Sequence, residues 1–98
     1  MKEITPADLR QWLSEERDFM LVDVREPFER ESFHIGGLHI RLGDIILRKE
    51  ELRKDIPVVV YCAKGIRSSI VIQRLEQFGF DNLYNLSGGM SAWKKTEA

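Results

Sequence analysis

The chain holds one cysteine, Cys62, and it opens the run Cys62-Ala63-Lys64-Gly65-Ile66-Arg67-Ser68. A lone thiol excludes an internal disulfide and any zinc site built from two or more cysteines of one chain, so its chemistry is that of a nucleophile acting alone or between chains. An ordinary thiol with a pKa near 8.5 is about 3% ionised at pH 7, but basic neighbours and helix N-termini lower that pKa to roughly 3.5–7.5. The run supplies both influences. Lys64 and Arg67 are cations, and a cation about 6 Å away at an effective dielectric near 20 contributes on the order of 3 kcal/mol, or about two pKa units, before screening. Gly65 admits a tight turn or a close approach, and a loop entering a helix aims unpaired backbone N–H groups inward as an anion cradle. Free cysteine is also a common small hydrophobe at strand ends. Against that stands the coincidence of strand end, glycine three residues on, two cations and a helix start.

These groups meet only if a strand delivers Cys62 and a helix leaves near Ser68. Pro57-Val58-Val59-Val60-Tyr61 is β-branched and aromatic, with proline at the one strand position that tolerates it, and predicts a central strand. Ser68 to Phe78 predicts a helix in which Val71, Leu75 and Phe78 share a face, Ile70 and Ile72 widen it, and Gly79 supplies the C-terminal cap. Phe19 to Val24 is almost continuously apolar, as in a strand covered on both faces. Leu38 to Leu42 alternates strictly and predicts an edge strand or one with a wetter face. Leu83 to Leu86 predicts a last short strand. Thr5-Pro6-Ala7-Asp8 starts a helix running to about Glu15, with Leu9, Trp12 and Leu13 as its apolar stripe. Pro27 to Glu31 predicts a short helix, Gly43-Asp44 caps another through Leu52, and Ser87-Gly88-Gly89 turns into one carrying Met90 and Trp93. The mixed charges Arg48-Lys49-Glu50-Glu51 read as a solvated face. Strands alternating with helices predict an α/β fold with a mainly parallel sheet, in which ligands bind beyond the carboxyl ends of the strands, where Cys62 stands.

The chain has 98 residues, enough for one domain spanning residues 1–98 and too few for two. Fifteen lysines and arginines against 16 acids leave a formal charge of −1, without the basic footprint of a general nucleic-acid binder. The longest apolar stretch, Val58 to Ala63, is far below the ~20 residues of a membrane span. Met1 to Pro6 lacks the apolar core of a secretory signal, so a cytoplasmic protein with neither membrane nor nucleic-acid partner is expected. His34 and His39 stand five residues apart across Gly36-Gly37, which fits hydrogen-bonded or strand-face histidines better than a metal pair. Trp12 and Trp93 fit apolar helix faces as core anchors. No dinucleotide-binding or Walker glycine pattern is present, and neither cofactor nor metal is expected.

Four motifs in register carry a resemblance. Asp23-Val24-Arg25-Glu26, His34-Ile35-Gly36-Gly37, the Cys62–Ser68 run, and Leu86-Ser87-Gly88-Gly89 with Trp93 are similar to segments of the rhodanese-like family, sulfurtransferases that carry sulfur as a cysteine persulfide. The departures are Phe33 in place of a glycine and Gly36 in place of a proline, both outside the cysteine loop. The resemblance implies a five-stranded parallel sheet flanked by helices on both faces and a persulfide formed on Cys62. From Cys62 through Arg67 the loop is Cys-x4-Arg, the length the resemblance associates with sulfur transfer. Related phosphatases and arsenate reductases use the longer Cys-x5-Arg, because a tetrahedral oxyanion needs more room than one sulfur.

The expected roles follow. Cys62 is the nucleophile, and the amides of Ala63, Lys64, Gly65, Ile66, Arg67 and Ser68 hold the transferred sulfur. Lys64 and Arg67 attract an anionic donor, and Ser68 is a helix cap or a substrate contact. Asp23 and Arg25 form a supporting ion pair or hydrogen-bond scaffold. The donor is thiosulfate or a persulfide, and the acceptor is cyanide, a thiol or a sulfur carrier. Two other functions compete: a non-catalytic interaction module on the same fold, and a cysteine phosphatase or arsenate reductase.

Overall fold

The computed structural model describes residues 1–96. Five strands, β1 (Lys2–Ile4), β2 (Met20–Asp23), β3 (Leu38–His39), β4 (Val58–Tyr61) and β5 (Leu83–Leu86), form one all-parallel sheet in the order β1-β5-β4-β2-β3. The described residues form four α-helices, α1 (Pro6–Ser14), α2 (Pro27–Ser32), α3 (Ile66–Glu76) and α4 (Gly89–Lys95). None is long and apolar enough to cross a membrane.

The continuous apolar character of β4 follows from its place at the centre of the sheet. Side chains alternate across a strand, so Val58, Val60 and Cys62 enter one core while Val59 and Tyr61 enter the other. The first core is closed by Val71, Ile72 and Leu75 of α3, with Ile45 and Leu52. The second is closed by Leu9 of α1 and by Met90 and Trp93 of α4. Each fully buried aliphatic of β4 is worth about 1.5–3 kcal/mol relative to exposure, which makes this strand the fixed member of the sheet. Because Cys62 follows the parity of Val58 and Val60, its side chain points to the side from which α3 departs.

The helix starts obey the local signals. The Thr5 hydroxyl accepts from the Asp8 backbone N–H at 3.1 Å, with Pro6 at the first helical position. Glu26 and Glu29 form a reciprocal capping box around Pro27 at the start of α2.

Several expectations are corrected. The segment expected as one helix through Leu52 consists of two 3-10 turns, Leu42–Asp44 and Lys49–Glu51. Ion pairs three residues apart, Arg41–Asp44 and Arg48–Glu51, match that tighter winding. Strand β3 is two residues long at the sheet edge, yet the chain keeps to β2 beyond it: Ile40 and Leu42 donate backbone N–H groups to the Asp23 and Val24 carbonyls, each at 3.0 Å. Helix α3 starts two residues before Ser68, and Phe78 lies outside it and is exposed. Leu13 is likewise exposed rather than part of the α1 stripe, and Trp12 is half-buried against Phe19 and Tyr84. The residue pattern marks four strands, and the fifth is β1, whose three residues pair with β5.

Candidate active site

Cys62 stands one residue past the carboxyl end of β4, and Gly65 turns the chain into α3 with φ at +94°. That left-handed conformation is the reason for a glycine there. The turn brings two amide donors and a hydroxyl to one atom. The Cys62 Sγ accepts from the Gly65 N–H at 3.1 Å and from the Ser68 N–H at 3.4 Å, and the Ser68 hydroxyl oxygen lies 3.3 Å away. Burial pushes the thiol pKa up. The Ser68 hydroxyl and then the amides of Ser68, Lys64 and Gly65 oppose it and prevail, so the thiol ionises below its ordinary range.

Ser68 is the third residue of α3 and does not cap it. Its hydroxyl donates to the Asn85 Oδ1 at 2.5 Å, while the Asn85 side-chain N–H donates to the Gly65 carbonyl at 3.1 Å. The buried Asn85 of β5 therefore holds the middle of the loop and its α3 end. A hydroxyl has one proton. Beside a neutral thiol it can serve Asn85 and accept from the S–H, whereas beside a thiolate it can turn to the sulfur.

The main chain of the loop is gripped from the opposite side. The α4 amides of Met90 and Ser91 donate to the Cys62 and Ala63 carbonyls, both at 2.9 Å. Gly89 makes that approach possible, since a Cβ there would lie 2.3 Å from the Cys62 carbonyl oxygen. The Gly88-Gly89 pair thus sets the position of the cysteine loop.

A cavity of about 390 Å³ opens onto the loop, lined by Cys62, Ala63, Lys64, Ile66 and Arg67. Cys62 is 1% exposed, and this cavity reaches it. The structure brings together every residue from Cys62 to Ser68. Lys64 and Ile66 are exposed at the mouth. Arg67 is turned to α2, where its two terminal nitrogens donate to the two Glu29 oxygens at 2.7 and 2.8 Å. This bidentate pair, with desolvation opposing it, holds the Glu29 carboxyl down at about 2.

Asp23 is fully buried, and Arg25 is buried with it, donating to its two carboxylate oxygens at 3.0 and 3.1 Å and to the Phe33 carbonyl at 2.7 Å. Burial raises the Asp23 pKa, but the Arg25 bonds bring it below the ordinary carboxylate range. The pair ties β2 to the chain after α2 beside β4, as a scaffold would. His39 lies 2.6 Å from the Arg25 carbonyl oxygen, and the His34 Nδ1 accepts from the Gly36 N–H at 2.9 Å. No group of three or more His, Cys, Asp or Glu side chains suited to a metal occurs among the described residues.

Glu29, Asn85 and the close approach of Gly89 escape the sequence reading. The signals are faint: an acid three residues after Glu26 across a proline, and one polar residue in the otherwise apolar end of β5.

The model of the Rhodanese-like domain matches residues 5–96. A Thiosulfate sulfurtransferase GlpE of Coxiella burnetii is 39% identical over 90 residues, covering 90% of this chain and 84% of its own length. A Probable adenylyltransferase/sulfurtransferase MoeZ of Mycobacterium tuberculosis is 38% identical over 95 residues, and the chain spans only 24% of that protein's length. The crystal structure of a rhodanese-like domain protein from Staphylococcus aureus superposes with a TM-score of 0.88 at 34% identity, covering 95% of this chain and 91% of that one.

Proposed function

The chain belongs to the family of rhodanese-like domains, and from that premise we propose that it is a sulfurtransferase working through a persulfide on Cys62. The observation that carries this reading is the convergence of the Gly65 and Ser68 amides and the Ser68 hydroxyl on one sulfur at the end of a cavity. The two amides are preorganised to stabilise negative charge on sulfur, and the hydroxyl joins them by turning its proton to the thiolate.

The reaction is a double displacement. The Cys62 thiolate attacks the outer sulfur of the donor, forming the new S–S bond as the bond to sulfite or a thiolate breaks. The persulfide's terminal sulfur then occupies the space faced by the loop amides. In the second half, an acceptor thiolate or cyanide attacks that terminal sulfur and the Cys62 thiolate leaves, restoring the resting state. No proton need be removed from carbon or oxygen, so the cycle requires no general base. Asp23 and Arg25 act as scaffold, and Lys64 is the cation available to an incoming anion.

The test is formation of thiocyanate from cyanide with thiosulfate or an alkyl persulfide as donor. The wild-type chain turns over with at least one donor, and Cys62→Ser reduces the rate to background. Turnover by Cys62→Ser would refute the assignment. Absence of sulfur transfer with phosphate-ester hydrolysis in its place would favour the phosphatase alternative, and absence of both would favour a docking module.

A further inference from the structure

The electrostatics at the cavity mouth differ from what two cations in the loop lead one to expect. Arg67 and Glu29 form a bidentate pair at 2.7 and 2.8 Å, with side-chain exposures of 34% and 19%. Glu29 is itself held in place, because one of its oxygens accepts from the Glu26 N–H at 3.1 Å in the capping box of α2. The carboxylate is therefore a fixture of the helix start rather than a mobile surface acid. Arg67 keeps further N–H donors, but the pair carries no net charge and presents a dipole where a free guanidinium would present a full positive charge.

The other guanidiniums near the site are also committed: Arg25 and Arg30 to Asp23, and Arg41 to Glu26 and Asp44. Among the described residues of the cavity wall, Lys64 is the cation without a carboxylate partner, and Ala63 and Ile66 are apolar. The mouth thus offers about one net positive charge to an incoming donor.

The two donor types differ in what they ask of that mouth. Thiosulfate carries two negative charges and releases sulfite with two: Cys62–S⁻ + ⁻S–SO₃⁻ → Cys62–S–S⁻ + SO₃²⁻. An alkyl persulfide carries at most one and releases a thiolate: Cys62–S⁻ + R–S–SH → Cys62–S–SH + R–S⁻. Both equations balance in atoms and charge and need no outside oxidant or reductant. The second places a carbon-bearing group against Ala63 and Ile66 where the first places a sulfonate. We propose that Glu29 is a specificity-determining residue, which neutralises Arg67 and so biases this site away from thiosulfate and toward organic persulfide donors. The inference rests on the sulfur-transfer reading above.

Three enzymes test it: the wild-type chain, Glu29→Gln, and the double variant Glu29→Gln/Arg67→Gln. For each, KM is measured with thiosulfate and with the persulfide of mercaptoethanol. Releasing the Arg67 charge in Glu29→Gln lowers the thiosulfate KM by roughly three- to tenfold, an effect that shrinks at high salt. The persulfide KM changes by less than about twofold. The double variant, which removes the released charge, loses the gain of Glu29→Gln at thiosulfate, and its fold integrity is read from circular dichroism and the urea midpoint. An increase in thiosulfate KM in Glu29→Gln, or a tenfold increase in the double variant, would show that the paired Arg67 itself grips the dianion and would overturn the inference while leaving sulfur transfer intact. A wild-type chain that accepts sulfur from neither donor would overturn the sulfur-transfer reading and this inference with it.

Discussion

The ionisation of Cys62 rests on a contest between burial, which disfavours the thiolate, and hydrogen bonds to sulfur, which favour it; the bonds win. The pH dependence follows with a definite sign. A thiol ionising below its ordinary range is reactive from lower pH than a free cysteine and loses that reactivity as pH falls through its own lowered value. Removing the Ser68 hydroxyl in Ser68→Ala leaves the loop amides to oppose the burial alone, so the midpoint of the iodoacetamide alkylation rate against pH rises. A midpoint that stays put would mean that the hydroxyl serves Asn85 alone. Cys62 and its loop were legible in the sequence because the chemistry is local: nucleophile, glycine and cations lie within seven consecutive residues. Asn85 was not. Its bonds to Gly65 and Ser68 span 20 and 17 residues, and only the neighbouring placement of β4 and β5 makes them.

At the scale of elements, the cysteine loop is held between the start of α3 and the start of α4. The α4 side is a backbone contact with no room to spare, since a Cβ on Gly89 would meet the Cys62 carbonyl oxygen at 2.3 Å and Ala63 backbone atoms at 2.7 and 2.8 Å. Gly89→Ala therefore destabilises the protein by about 2–3 kcal/mol through overpacking against backbone that cannot yield, and it lowers sulfur transfer by displacing the loop. Gly43→Ala, at a position with nothing within 4 Å, shifts the urea midpoint little. Equal shifts for both would remove the structural role assigned to α4. Long apolar runs made β2 and β4 legible, and apolar residues at helical spacing made α3 so. Local preference failed between Gly43 and Leu52, where charges at helical spacing also satisfy a tighter 3-10 winding, and at β1, whose three residues are a strand only because β5 offers an edge.

For the molecule as a whole, the sheet order explains why distant motifs converge. With β4 central and β5 and β2 beside it, the carboxyl ends of three strands deliver Cys62, the Gly88-Gly89 turn and the Asp23–Arg25 pair to one end of the sheet. The α/β alternation that predicts this architecture is a property of the whole chain, and so survives errors in single elements. The convergence also supplies the physical case for sulfur chemistry: fixed dipoles around a buried thiolate, with a mouth of low net charge. The most direct measurement is the intact mass of the wild-type chain after incubation with an alkyl persulfide and removal of excess donor. Sulfur transfer through Cys62 predicts a gain of one sulfur atom, reversed by cyanide and absent in Cys62→Ala. A wild-type mass unchanged by the donor, or the same gain in Cys62→Ala, would contradict it.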